Sequence, residues 1–205
     1  MRRFNVLVAV IAILVAVYAS RMAVATPDVK MSAATIGAKA PDFSLQNYDG
    51  KQMGLGDYAG KITVLEWVNP ECPYVQRHYK AKTMQVLADQ YKNDGVIWLS
   101  INTTHSATNE SDKQWVANQN ISYPVLNDAA GDVGKAYHAT NTPELYIIGK
   151  DGLLLYKGAI DNDPEGDKGA ARVNYVQKAM GEILAGKTVS EPETKAYGCS
   201  VKYAK

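Results

Sequence analysis

Residues 61–78, KITVLEWVNPECPYVQRH, decide how this chain folds. Residues 62–68 are an apolar run rich in β-branched and aromatic side chains, the pattern of a strand buried on both faces. Asn69-Pro70 breaks the run, and Cys72 then sits directly before Pro73, where a helical pattern begins. Proline suits the first helical position, because the N–H it lacks has no helical partner there. A cysteine at such a strand-to-helix turn lies among free backbone N–H groups at the positive end of the helix dipole. That setting favours the thiolate, which is the nucleophilic form. A lone cysteine is more often buried and inert, packing as a small hydrophobe. The polar, turn-forming Asn-Pro-Glu-Cys-Pro surroundings argue against that here.

Working outward, the helical pattern runs from Cys72 to about Lys92. Val75, Tyr79, Met84, Val86, Leu87 and Tyr91 form its apolar stripe, and Asn93-Asp94-Gly95 stops it. Residues 96–101, VIWLSI, read as a second buried strand, followed by a polar loop over 102–110 that contains His105. A helix is expected over 112–120, a short extended piece over 123–126 and a short helix over 129–138. Residues 142–148 open a third strand, Lys150-Asp151-Gly152 makes a hairpin turn, and 153–157 is a fourth strand antiparallel to the third. An acidic loop over 161–169 precedes a closing helix over 170–184. Upstream, Phe43 and Leu45 alternate as a short strand before an Asp-Gly turn at 48–51, and residues 55–60 make a helical turn. The order β–α–β–α–(β)–α–β–β–α predicts an α/β fold. Its central mixed β-sheet is parallel through βαβ crossovers, antiparallel at the hairpin, and flanked by helices on both faces.

The 205 residues suit one domain, and 22 Lys and Arg against 21 Asp and Glu form no basic stripe, so no nucleic acid partner is expected. The N-terminus looks like a targeting segment: Arg2 and Arg3, an apolar run over 4–19, then the small-x-small triplet Ala23-Val24-Ala25. Removing residues 1–25 takes away Arg2, Arg3 and Arg21 and no acid, so the net charge moves from +1 to −2 (1 − 3). The expected organisation is a signal peptide or N-terminal anchor over 1–25, a flexible leader over 26–35, one domain over 36–187 and a polar tail over 188–205. The protein is thus expected to be exported, periplasmic or secreted, touching a membrane only through an uncleaved N-terminal segment. The two cysteines, Cys72 and Cys199, suit a disulfide in an exported chain. A structural staple and a redox pair are both compatible with their spacing.

Strand–cysteine–helix, a later Thr142-Pro143 opening a hairpin, and a last helix together resemble the thioredoxin fold. IGAKAPDFSL at 36–45, YDGKQMGLGDYAGK at 48–61 and TPELYIIGKDGLLLYKGAID at 142–161 resemble its redoxin branch. That branch holds the alkyl hydroperoxide reductase/thiol-specific antioxidant-like proteins and thiol–disulfide oxidoreductases, and the resemblance covers about residues 36–185. Cys-Pro-Tyr-Val at 72–75, with Gly-Cys-Ser-Val-Lys at 198–202, is similar to a redoxin subgroup in which the usual Cys-x-x-Cys keeps only its first cysteine.

The resemblance implies an exported thiol–disulfide oxidoreductase without a cofactor. Cys72 is its nucleophile and Cys199 its resolving thiol, with a thiol or disulfide protein, or a small thiol, as substrate or electron donor. It implies a cis bond before Pro143, facing Cys72, with the backbone of Thr142 left to bind a partner chain. Pro73 and Tyr74, which flank the sulfur, join Thr142 and Pro143 as the residues expected to bind the partner. Glu66, six residues before Cys72, matches the buried acid of thioredoxins; a desolvated carboxyl has a raised pKa and moves a proton to or from a leaving thiol. The alternative for Glu66 is a carboxylate paired with Lys or Arg, or facing outward.

Two other functions stay open. A thiol-dependent peroxidase shares the nucleophile, but the peroxiredoxin pattern Pro-x-x-x-Thr-x-x-Cys has Leu65 and Asn69 at its first two fixed positions. A non-catalytic binding protein would carry a structural Cys72–Cys199 bond. No metal is expected, since His78 stands at the wrong helical spacing to share a face with Cys72. The aspartates of 161–167 depart from the EF-hand pattern and are expected in a solvated loop.

Overall fold

The computed structural model describes residues 33–204; the signal segment expected over 1–25, and most of the leader, lie outside the described residues. The sheet is built on β3 (Thr63–Val68), buried along its whole length, as its continuous apolar run demands. It pairs in parallel with β4 (Ile97–Asn102), and β4 in parallel with β5 (Val125–Asn127). On its other side β3 pairs antiparallel with β7 (Glu144–Ile148), which turns through a hairpin into β8 (Leu154–Gly158). A hairpin of β1 (Ser44–Asn47) and β2 (Gln52–Gly54) completes a seven-stranded mixed sheet of order β2-β1-β5-β4-β3-β7-β8.

Alternation along the strands divides the core in two. Val64 and Val68 face a layer made by α1 (Pro73–Lys80), α2 (Thr83–Lys92), α3 (Asn109–Gln119) and α5 (Tyr175–Leu184), contributing Tyr79, Met84, Leu87, Trp115, Val176 and Met180. Leu65 and Trp67 face α4 (Asp132–Tyr137) together with Phe43 and Met53. Helices therefore cover both faces, as the element order implied.

The single helix expected over 72–92 is two. α1 ends at Lys80, and Lys82 takes a left-handed conformation (φ 54°) before α2 starts. From Tyr79 to Met84 is five residues, about 140° out of phase on an unbroken helix, so a break is needed for both to face the sheet. Val86, counted in the apolar stripe, is 58% exposed. The closing helix also starts later than expected, at Tyr175, because Asn174 caps it by accepting from the Gln177 N–H; Val173 stays exposed. α3 begins at Asn109, earlier than 112, because Thr108 and Ser111 form a reciprocal capping pair.

The polar tail is a strap packed along the domain. Its two residues β9 (Cys199–Ser200) pair antiparallel with β6 (Asn141–Thr142), putting Cys199 opposite Thr142. The acidic loop over 161–169 is likewise not merely solvated. Asp161 and Asp163 are buried, and the Asp163 carboxylate accepts from the N–H groups of Gly166, Asp167 and Lys168. Of the leader, Ala34 is buried and its N–H donates to the Ala136 carbonyl.

Candidate active site

Cys72 is the N-cap of α1, in extended conformation with Pro73 at the first helical position. The turn that delivers it is held by Asn69, whose carbonyl accepts from the Cys72 N–H at 3.0 Å and whose side chain accepts from the Glu71 N–H at 2.9 Å. The Cys72 carbonyl accepts from Gln76, so the backbone around the sulfur is committed to the helix start. Opposite it runs the cis Thr142-Pro143 peptide; as a thiol, Cys72 donates to the Thr142 carbonyl at 3.1 Å.

The strap brings the second sulfur. Pairing with β6 sets Cys199 Sγ 2.8 Å from Cys72 Sγ, joining two residues 127 apart in sequence. Gly198 makes the approach possible: its φ is +121°, and a Cβ there would overlap the Thr142 carbonyl. Further bonds fasten the strap on either side. The Val201 N–H donates to the Thr140 carbonyl, the His105 N–H to the Lys202 carbonyl, and the Tyr203 hydroxyl to the Ala139 carbonyl at 2.8 Å.

The two thiols differ electrostatically. Burial alone would raise the Cys72 pKa, but the Cys199 thiol, the Val75 amide at the start of α1 and the Thr142 side chain act the other way and hold it below the ordinary thiol value. Thr142 Oγ1 is buried without a hydrogen-bond partner. Cys199 is pushed up to about 11, by burial first, then by its hydrogen bond to Cys72 and the charge Cys72 carries when ionised. Of the pair, Cys72 ionises first. The last two causes disappear once Cys72 is tied up in a disulfide, so Cys199 then becomes easier to ionise. Yet Cys72 is only 1% exposed, beneath the partly exposed Cys199.

Beside the sulfurs, Tyr197 of the strap donates its hydroxyl to Asp161 Oδ1 at 2.5 Å. Its oxygen lies 2.9 Å from His78 Nε2, which therefore carries the hydrogen and donates. Burial lowers the His78 pKa to about 4, so the ring is neutral at ordinary pH. The Tyr197 ring packs 5.9 Å from that of Tyr74, over which Arg77 lies at 5.6 Å. Tyr74 thus braces the strap.

Glu66 is fully buried at the centre of β3, on the face shared with Val64 and Val68 and covered by α1, α2, α3 and α5. Tyr79 donates to Oε1 at 3.0 Å, and Trp98 and Ser100 donate to Oε2 at 2.9 and 3.1 Å. Burial raises its pKa to about 7 against the pull of these donors. Glu66 bonds neither sulfur, so proton exchange with the site needs an intermediary such as water.

The structure thus brings together Cys72, Pro73, Cys199, Thr142 and Pro143, sets Tyr74 against the strap, and places Glu66 in a separate bonded network. His78, weighed at sequence level only as a metal ligand, serves the strap instead. Among the described residues no group of three or more His, Cys, Asp or Glu side chains converges on a metal position. Sequence reading missed Tyr197, Asp161 and Gly198. The glycine before a tail cysteine was the available signal; the aspartate and tyrosine meet only in three dimensions.

A cysteine at a helix start, against a cis-proline turn on a seven-stranded mixed sheet, defines a thioredoxin-fold redoxin. The AhpC/TSA family profile matches residues 36–157, and the chain belongs to that family. Among curated relatives, the thiol–disulfide oxidoreductase ResA of Bacillus thuringiensis subsp. konkukian is 28% identical over 127 residues, 58% of this chain and 67% of that protein. ResA of Bacillus subtilis is 26% identical over 126 residues, 58% of this chain and 64% of that one. Two solved structures extend further. An uncharacterised conserved protein from Geobacillus kaustophilus superposes with a TM-score of 0.75 at 28% identity, covering 83% of this chain and 93% of its own. A hypothetical protein from Sinorhizobium meliloti gives 0.74 at 25% identity, covering 84% and 97%.

Proposed function

We propose that this protein is a thiol–disulfide oxidoreductase in which Cys72 is the nucleophile and Cys199 the resolving thiol. The observation that carries the reading is the 2.8 Å approach of the two sulfurs at the start of α1, with Cys72 the more acidic of the pair. In the reducing direction the Cys72 thiolate attacks one sulfur of a substrate disulfide. A Cys72–substrate bond forms, the substrate bond breaks, and the departing thiolate takes a proton. Deprotonated Cys199 then attacks Cys72 Sγ, closing a Cys72–Cys199 disulfide and releasing the second substrate thiol. An external dithiol restores both cysteines; run backwards, the same steps oxidise a substrate.

The alternative of peroxide reduction gains no support at the pattern's threonine position, because the Asn69 side chain there is already bonded to the turn. The reading is tested by turnover of a small peptide disulfide with an excess dithiol. Wild-type protein is expected to turn over, and Cys72→Ser is not. The potential of the Cys72–Cys199 couple is a second test: a value below about −300 mV describes a staple and sinks the proposal. Export rests on residues 1–25 alone, and cell fractionation with N-terminal sequencing of the mature protein tests it. Among the described residues no helix is long and apolar enough to cross a membrane.

A further inference from the structure

Cys72 is 1% exposed beneath a segment of its own chain, so no external disulfide reaches its sulfur while the strap is seated. The strap sits as an added strand would. It is extended, its residues pair antiparallel with Asn141 and Thr142, and its cysteine lands on the nucleophile. Three features set that seat. Cys199 faces Cys72. Gly198, one residue earlier, passes the Thr142 carbonyl so closely that any side chain would overlap it. Tyr197, two residues earlier, reaches Asp161 and His78 with its hydroxyl and lays its ring against Tyr74.

Resting on the function proposed above, we infer that the strap is an exchangeable strand. It leaves the β6 edge to admit a partner polypeptide, returns to expel it, and its own Tyr-Gly-Cys is the template of the segment admitted. The partner is then an extended, cysteine-bearing stretch with a small residue directly before the cysteine and an aromatic residue before that. Its main chain pairs with Asn141 and Thr142 in the strap's place. With the strap off, Cys72 attacks the partner's disulfide. When the strap re-pairs, Cys199 arrives on Cys72 Sγ and the partner loses its covalent bond and its strand pairing in one event. The strand contest therefore couples resolution to product release.

The test uses the full chain and needs no turnover, so it fails independently of the oxidoreductase reading. In Cys199→Ser, where only Cys72 can react, alkylation by a neutral haloacetamide is expected to stay slow. Adding Gly198→Val, which blocks seating, is expected to speed it about tenfold or more, as local opening becomes the ground state. Tyr197→Ala in the same background removes an anchor without a backbone clash and is expected to act in the same direction. Circular dichroism and thermal melting confirm that both variants fold. A synthetic peptide of residues 196–203 carrying Cys199→Ser is expected to slow alkylation of the opened protein again, and the same peptide with Gly198→Val is not. Unchanged alkylation rates in both opened variants overturn the exchangeable strap. Equal protection by the two peptides overturns the template.

Discussion

The two cysteines reach the same point from opposite kinds of structure. Cys72 comes from the strand-to-helix turn after β3, inside the family-matched region, with a regular element directly on either side of the turn. Cys199 comes from the strap, beyond that region, whose paired strand is two residues long and whose place is set by hydrogen bonds and close backbone contacts. One sulfur is buried with its pKa lowered; the other is partly exposed with its pKa raised to about 11. On the proposed reading, a rigid element holds the group that must be ready, and a detachable one holds the group that must arrive and depart. Local stability varies within one domain in the same way, with short, partly exposed pairings opening first.

The comparison breaks most visibly in activity. Cys72→Ser is expected to lower disulfide turnover by about a thousandfold or more, since it removes the nucleophile itself. Cys199→Ser is expected to retain the first attack and to accumulate Cys72 in a mixed disulfide, visible as an added mass on the intact protein. Equal loss of the first attack in both variants would erase the distinction between the sulfurs.

Glu66 sharpens the contrast on the rigid side. Its pKa rises from 4.5 to about 7 on folding, so the folded state holds the proton more tightly than the unfolded chain. Its contribution is therefore most favourable below pH 4.5 and is lost as pH rises to 7. The loss is on the order of 3 kcal/mol. Glu66→Gln is expected to remove that dependence, measured as the wild-type-minus-variant difference in denaturant unfolding between pH 4.5 and 8. His78 slopes the opposite way. Its folded pKa of about 4, against 6.5, makes the fold lose stability as pH falls through that window, so only the difference between proteins isolates Glu66. A pH-independent difference would mean that Glu66 is not a buried carboxyl of raised pKa.

On the strap side the expected effects are smaller. Gly158 has φ +138°, and a Cβ there would overlap Thr194, so Gly158→Ala is expected to cost about 2 kcal/mol and to loosen the strap's entry onto β8. Hydrogen exchange should then quicken over residues 193–204 while β3 stays protected. Tyr203→Phe removes one bond to the Ala139 carbonyl and is expected to cost about 1 kcal/mol in thermal or denaturant unfolding.

Much of the fold was legible because its signals are local. The apolar run of β3, the Cys72-Pro73 cap and the Lys150-Asp151-Gly152 hairpin each rest on residues a few positions apart. The misjudged helix ends were also local matters, turning on which of several polar residues caps first: Asn174, Thr108, or the left-handed Lys82.

Sequence by itself determined that a thiol stands at a helix start on a mixed sheet, and that a second one follows in the tail. Tertiary structure alone decided that the second sulfur lies on the first, that Tyr197 finds Asp161 and His78, and that Glu66 is bonded to Tyr79, Trp98 and Ser100. The reason is physical. Capping and strand periodicity act over a few residues of chain, whereas strand pairing and burial depend on which distant segments the folded sheet brings within reach.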